Sequence, residues 1–339
     1  MSDWRPPTTS EQGYDAYLQG IYYFHRSSGS SQETIDNLNR AIGFFEQAVS
    51  ADPQFALAQA RLGSGYSTRF FYFDPDRTWE QKAFVAIEKA LAVDPDLAEA
   101  YVARGMHAWS IANGFPHERA VRDLQHAIAL NPSVIEAHVE LGKIYMHIGM
   151  LDQAVQENSL ALRLDPNDAS ALGRRIMSYT YDRQCATSLQ LLNQQPSAAN
   201  RSARADALRC LGRTDEALQI FAEKPPANAA EQGLVAALLA RKGDSNAARQ
   251  RIDQARPETN NVEGLSHFHH AQYYIGAAYA LMGETRQAVS WLRKATREGM
   301  PCYPLFERDS DLDNLRRDPE FAALMAELKA QHERFRSLF

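Results

Sequence analysis

The 339-residue sequence has little cysteine: Cys185, Cys210 and Cys302, an odd number set far apart. Such usage makes neither a disulfide framework nor a Cys-x-x-Cys pair, so a reducing, cytoplasmic setting is expected. No apolar run approaches the roughly 20 residues a membrane-crossing helix needs. The opening Met-Ser-Asp-Trp-Arg-Pro-Pro-Thr-Thr-Ser lacks the apolar core of a signal peptide. A basic excess is missing too, and a net charge of -6 argues against a general nucleic-acid binder. There is no Gly-rich phosphate loop ending in Lys-Ser/Thr, no dinucleotide fingerprint and no Gly-x-Ser-x-Gly elbow. His117-Glu118 opens a zinc-protease motif, but Val121 stands where its second histidine belongs. The expectation is a soluble, non-catalytic protein without cofactor or metal and with neither membrane nor nucleic acid as partner. At 45% hydrophobic and 23% charged, the chain has enough apolar material for a large core.

What is present is repetition. Residues 135–168 place Leu141-Gly142, Tyr145, Gly149, Ala154, Ala161 and Pro166 where two short antiparallel helices need them. Gly142 is small where helices cross, Gly149 ends one helix, and Ala154 and Ala161 keep the second close. Four matching phrases end successive units: Ala48-Val-Ser-Ala-Asp-Pro53, Ala90-Leu-Ala-Val-Asp-Pro95, Ala127-Ile-Ala-Leu-Asn-Pro132 and Ala161-Leu-Arg-Leu-Asp-Pro166. Their Asp or Asn is expected to N-cap the following helix, with Pro in its first turn. The early units carry extra residues between their helices: a Ser/Gly-rich loop at 25–33, an aromatic run at 70–79, and a turn at Asn113-Gly114 and Pro116. Farther on, Gly212/Ala217, Gly243/Ala248 and Gly283/Ala288 keep the five-residue beat of Gly149/Ala154.

These landmarks resemble the tetratricopeptide repeat, about 34 residues of helix–turn–helix. The resemblance implies an all-α, right-handed α-solenoid of about eight such repeats with a C-terminal capping helix. Residues 1–12 are expected as a mobile arm, 13–168 as four well-formed repeats, 169–302 as degenerate ones and 303–339 as the cap, with a kink near 183–200. The opening Tyr14-Asp-Ala-Tyr-Leu-Gln-Gly-Ile-Tyr-Tyr23 and the closing phrase from Leu312 to Phe321 look like repeat tails of bacterial signalling and transcriptional regulators. That likeness implies a bacterial, cytoplasmic adaptor, free-standing or excised from a larger regulator, which binds a protein or peptide. A ligand-sensing module or an accessory subunit of an enzyme complex is the alternative.

The family's binding surface is the concave face of the first helices. Projecting its frame gives Tyr14, Tyr17, Ile21 and Phe24, then Val102, Met106 and Trp109, then Lys143 and His147, then Tyr181 as partner-binding candidates. Glu99, Glu136, Arg209 and Tyr273 fall on the same projected face. Each of these side chains has a second reading, as packing between adjacent repeats. The Lys and Asn with which some family members clamp a chaperone's terminal carboxylate are replaced here by Tyr17/Ile21, Ala60/Ser64 and Val102/Met106. An apolar or aromatic peptide, or a neighbouring helix, suits such a groove better. The aromatic run Phe70-Phe-Tyr-Phe73 with Trp79 packs under its own loop or forms a contact patch.

Two further clusters carry metal-like spacing. His267-Phe-His-His270 sets two imidazoles three residues apart on one helical face, but without acidic or Cys partners it reads as packed or solvent-facing histidines. Asp309 to Glu320 matches a calcium loop at its first, third, fifth and twelfth positions. Asn314 in place of the glycine, and Arg316 and Arg317 within the loop, favour turn and helix-capping roles instead.

Overall fold

The structure, a computed structural model, describes residues 7–27, 32–194, 201–255 and 268–339. Their regular elements are all helical, with no strand among them. Two compact units divide the chain, residues 1–141 and 142–339. The first holds α1 (Glu11–Phe24), α2 (Gln32–Ala51), α3 (Ala56–Tyr72), α4 (Arg77–Val93), α5 (Ala98–Ala108) and α6 (His117–Leu130). Helix α7 (Ile135–His147) spans the division. The second continues with α8 (Leu151–Leu164), α9 (Ala169–Tyr181), α10 (Cys185–Gln194), α11 (Arg201–Cys210), α12 (Thr214–Glu223), α13 (Ala229–Arg241) and α14 (Ser245–Ala255). It ends with α15 (His269–Leu281), α16 (Thr285–Arg297), α17 (Tyr303–Arg308), a 3-10 turn (Ser310–Leu315) and α18 (Pro319–Leu338). Sixteen of these helices pair as eight hairpins, α1/α2 through α15/α16, and the chain is an all-α solenoid of helix pairs.

Small residues let paired helices touch. A Cβ at Gly63 would lie 2.6 Å from Ile87, and one at Gly105 would lie 2.9 Å from Leu124. The partners Ile87 and Leu124, with Ala90 and Ala127 one turn on, are buried on the second helix. The hairpin turns use the expected beat. Gly149, Gly212, Gly243 and Gly283 all have φ between +74° and +84°. In each, the N–H after the glycine bonds back to the preceding helix, as in Met150 to Tyr145 O (2.8 Å) and Glu284 to Tyr279 O (2.9 Å). This is a Schellman ending. The least regular hairpin, α9/α10, makes the same turn with Arg183 at φ +65° and the same bond, Gln184 to Tyr179 O at 2.8 Å.

Three expectations change. The Asp and Asn of the repeat-ending phrases do not cap the following helix. Asp94 ends α4, its N–H bonded to Ala90 O, and its carboxylate accepts from the N–H of Asp96 at 3.1 Å. Asp52, Asn131 and Asp165 do the same with Gln54, Ser133 and Asn167. The side chain bridges across the proline as an Asx turn, which the missing proline N–H cannot close.

The cysteines also differ from expectation, since Cys185 and Cys210 form a disulfide with Cα atoms 6.1 Å apart. Stacking α10 beside α11 brings together residues 25 apart in sequence. The cysteine-based ground for a reducing compartment therefore falls. Cys302 is a buried free thiol.

The aromatic run, finally, is largely helix. α3 continues through Tyr72, Phe70 and Phe71 are buried, and Trp79 packs in a tilted contact with Tyr66 while donating Nε1–H to Asp74 at 2.8 Å. The expected arm, Ser/Gly loop and kink fall partly or mostly on residues 1–6, 28–31 and 195–200, outside the described residues; what is described of the arm includes Ser10 capping α1 through Gly13 N–H at 3.0 Å. Among the described residues no helix is long and apolar enough to cross a membrane.

Candidate binding surfaces

In unit 1, four successive first helices each contribute one polar side chain to a common cluster. Arg61 of α3 pairs with Glu136 of α7 at 2.8 Å. Burial opposes the Arg61 charge, but Glu136, Tyr17 and Glu99 more than offset it. Burial also opposes ionisation of Glu136, yet Arg61 holds its carboxyl below the usual range. Tyr17 of α1 has its phenol pushed up by burial, with Arg61 pulling the other way. Arg61 Nε is buried with no hydrogen-bond partner among the described residues. The helical frame projected Tyr17, Glu99 and Glu136 but missed Arg61. Its position next to Ala60 offered only one signal, a cation beside three projected acceptors.

The ten projected candidates separate by exposure. Tyr14, Ile21, Phe24 and Met106 are half-buried. Tyr17, Val102, Trp109, Lys143, His147 and Tyr181 are buried. Tyr17 packs on Phe45 and Phe55, and Tyr14, Ile21 and Phe24 flank the same cluster. Trp109 is 1% exposed, stacked 5.6 Å from Phe71 and edge-on to Phe115. It lies beyond the last residue of α5, so the helical frame no longer describes its direction. On the second-helix side of unit 1, a cleft of about 630 Å³ lies between α2 and α4, lined in part by Val49, Leu62, Tyr66, Lys82 and Val85.

In unit 2 the first-helix residues meet the chain's own C-terminal segment. Arg209 of α11, 1% exposed, donates Nε–H to Asp206 at 2.8 Å and Nη1–H to Asp309 at 3.1 Å and to Asp311. Arg241 of α13 also pairs with Asp311, and Tyr273 of α15 donates its hydroxyl to Asp309 at 2.5 Å. Burial resists the Asp309 charge, but Arg209 and Arg183 hold its carboxyl at about 2. Asp309 also caps the 3-10 turn, and Asp318 caps α18 through Phe321 N–H at 2.9 Å. The carboxylates of the calcium-like phrase thus serve arginines and helix ends.

A third cluster lies elsewhere in unit 2. His147 of α7 meets His269 and His270 at the start of α15, with ring centroids 4.9 and 5.1 Å away. Burial, then His270, holds the His147 imidazole well below its ordinary pKa. The sequence pairing of His270 with His267 involves a residue outside those described. The actual neighbour, His147, comes from a helix more than a hundred residues earlier.

The tetratricopeptide repeat family model matches residues 117–174. No curated protein sequence matches the chain. A tetratricopeptide repeat protein from Parabacteroides merdae is 16% identical, with 74% of this chain and 97% of that one covered and a TM-score of 0.50. Yeast Tom70 is 15% identical, covering 99% of this chain and 66% of its own, with a TM-score of 0.48. For pilF of Pseudomonas aeruginosa the figures are 20%, 73%, 92% and 0.40. The matched segment holds the best-formed repeat, and its glycine turn recurs after it at Gly212, Gly243 and Gly283. Residues 117–174 thus match the tetratricopeptide repeat, and the chain has the fold of tetratricopeptide repeat proteins.

Proposed function

We propose that the protein is a non-catalytic scaffold that takes an extended segment of a protein partner along the first-helix side of unit 1. The observation that carries this reading is the convergence of Tyr17, Arg61, Glu99 and Glu136, with Arg61 Nε left as an unspent donor. The Arg61 side chain keeps 11% of its surface exposed, through which a carbonyl or carboxylate oxygen of the guest meets the guanidinium, and a charged hydrogen bond of this kind contributes about 1.5–3 kcal/mol. Tyr14, Ile21, Phe24 and Met106 offer half-buried apolar and aromatic surface for the guest's side chains. In unit 2, by contrast, Arg209 is already engaged by Asp309 and Asp311 and Tyr273 by Asp309.

Peptides selected from a random display library supply the test. A photo-crosslinking residue at Met106 is expected to capture the selected peptide, whereas one at the exposed Phe84 of α4 is not. Arg61→Gln is expected to weaken binding at least tenfold, about 1.4 kcal/mol. Capture from Phe84 alone, or an unchanged affinity in Arg61→Gln, rejects this surface.

A further inference from the structure

Each of the three histidines of unit 2 makes a hydrogen bond through Nδ1, as imidazoles that ligate a metal through Nε2 do. His147 donates its Nδ1–H to Lys143 O at 2.7 Å, and His269 donates its Nδ1–H to Glu298 O at 2.8 Å. Backbone carbonyls only accept, so these neutral rings keep their protons on Nδ1 and present Nε2 lone pairs. His270 Nδ1 lies 2.9 Å from the Tyr181 hydroxyl, which itself lies 3.8 Å from Met300 Sδ. With the hydroxyl turned to that sulfur, Tyr181 accepts from Nδ1 and His270 also presents Nε2.

The geometry points to a site for a divalent transition-metal ion of the zinc class, ligated by His147, His269 and His270 through Nε2, with a fourth position open. The Nε2 atoms of His147 and His270 are 3.2 Å apart. Two imidazole nitrogens on one tetrahedral zinc ion, each at about 2.0–2.1 Å, stand about 3.3 Å apart. One potential ligand atom from each of the three rings lies within 4.8 Å of the others. A side-chain adjustment of about an ångström brings such a set to bonding distance. Without metal, His270 Nε2–H donates to His147 Nε2; the ion takes that place as the proton moves to Nδ1.

His147 and His269 are buried while His270 is half-buried, which leaves a route for the ion and for a fourth ligand. Three imidazoles select zinc, cobalt, nickel or copper over magnesium and calcium, which prefer oxygen.

The test uses the full chain without an affinity tag, stripped with chelator and titrated with zinc chloride in a calorimeter. One ion per chain is expected to bind with micromolar or tighter affinity, and His270→Gln is expected to lose at least tenfold. Cobalt chloride gives a readout independent of any variant. A strong tetrahedral ligand-field spectrum in the visible is expected from the unmodified protein, bleached by zinc. Absence of stoichiometric binding, a weak octahedral cobalt spectrum, or an unchanged affinity in a folded His270→Gln protein overturns the site.

Discussion

Trp109 illustrates how much one residue's surroundings decide. Its indole N–H can only donate, and it donates to His117 Nδ1 at 2.8 Å. The imidazole must therefore keep that nitrogen unprotonated, and burial holds its pKa down at about 3. In the unfolded chain the same group titrates near 6.5. Because the folded value is the lower one, the unfolded state binds the extra proton between these limits. Stability is full above pH 6.5 and falls as pH drops, by about 1.4 kcal/mol per unit. Denaturant unfolding at pH 7.5 and 5.0 is expected to differ by about 2 kcal/mol from this residue. His117→Asn, whose amide oxygen accepts from the indole without titrating, is expected to flatten the slope; equal slopes in the two proteins count against it. Trp109 also shows why a helical projection misleads at its end. α5 stops at Ala108, and Gly114 and Phe115 then take φ +68° and +52° to re-aim the chain. No periodicity over 98–108 carries that information.

At the scale of elements, the hairpins were legible because their signals are local. Each turn glycine needs a left-handed φ, and Gly20, Gly63, Gly105, Gly142 and Gly276 each meet a second-helix side chain within their own repeat. Arg183 shows the limit: it occupies the glycine's turn position, with buried Ser188 five residues on, and no landmark in the letters marks either. Two further features join distant elements and were not legible. The Cys185–Cys210 bridge needs knowledge of which hairpins stack. The acidic phrase at 309–313 looked like a metal loop because its spacing is short-range, while its arginine partners lie on α11 and α13. Removing one member of such a buried set strands the others. Asp309→Asn is expected to cost about 3–5 kcal/mol, against under ~0.5 kcal/mol for Asp313→Asn, whose carboxylate is exposed and pairs with Arg316. Paired denaturant titrations compare the two, and a similar loss in both would mean the Arg209 set contributes no more than a surface ion pair.

For the chain as a whole, the two units treat the same repeat geometry differently. In unit 2, Asp309 and Asp311 satisfy Arg209, Arg241 and Tyr273, so the arginines that would recognise a guest's carboxylate already hold one. In unit 1 a first-helix cation at a different repeat position, Arg61, has Glu136 on one nitrogen and an unmet Nε. An internal ligand is present at an effective concentration that a free peptide in the micromolar range does not match. Occupancy by a guest is therefore expected to divide between the units. Hydrogen–deuterium exchange with a display-selected peptide at saturation measures it directly. Slower exchange is expected in α1, α3 and α5, with α11, α13 and α15 unchanged. Asp309→Asn with Asp311→Asn opens the second unit's arginines, and only in that variant is added protection expected on α11 and α13. Protection of α11 and α13 in the unaltered protein would mean that the C-terminal segment yields to a guest, and the surface assignment would move from unit 1 to unit 2.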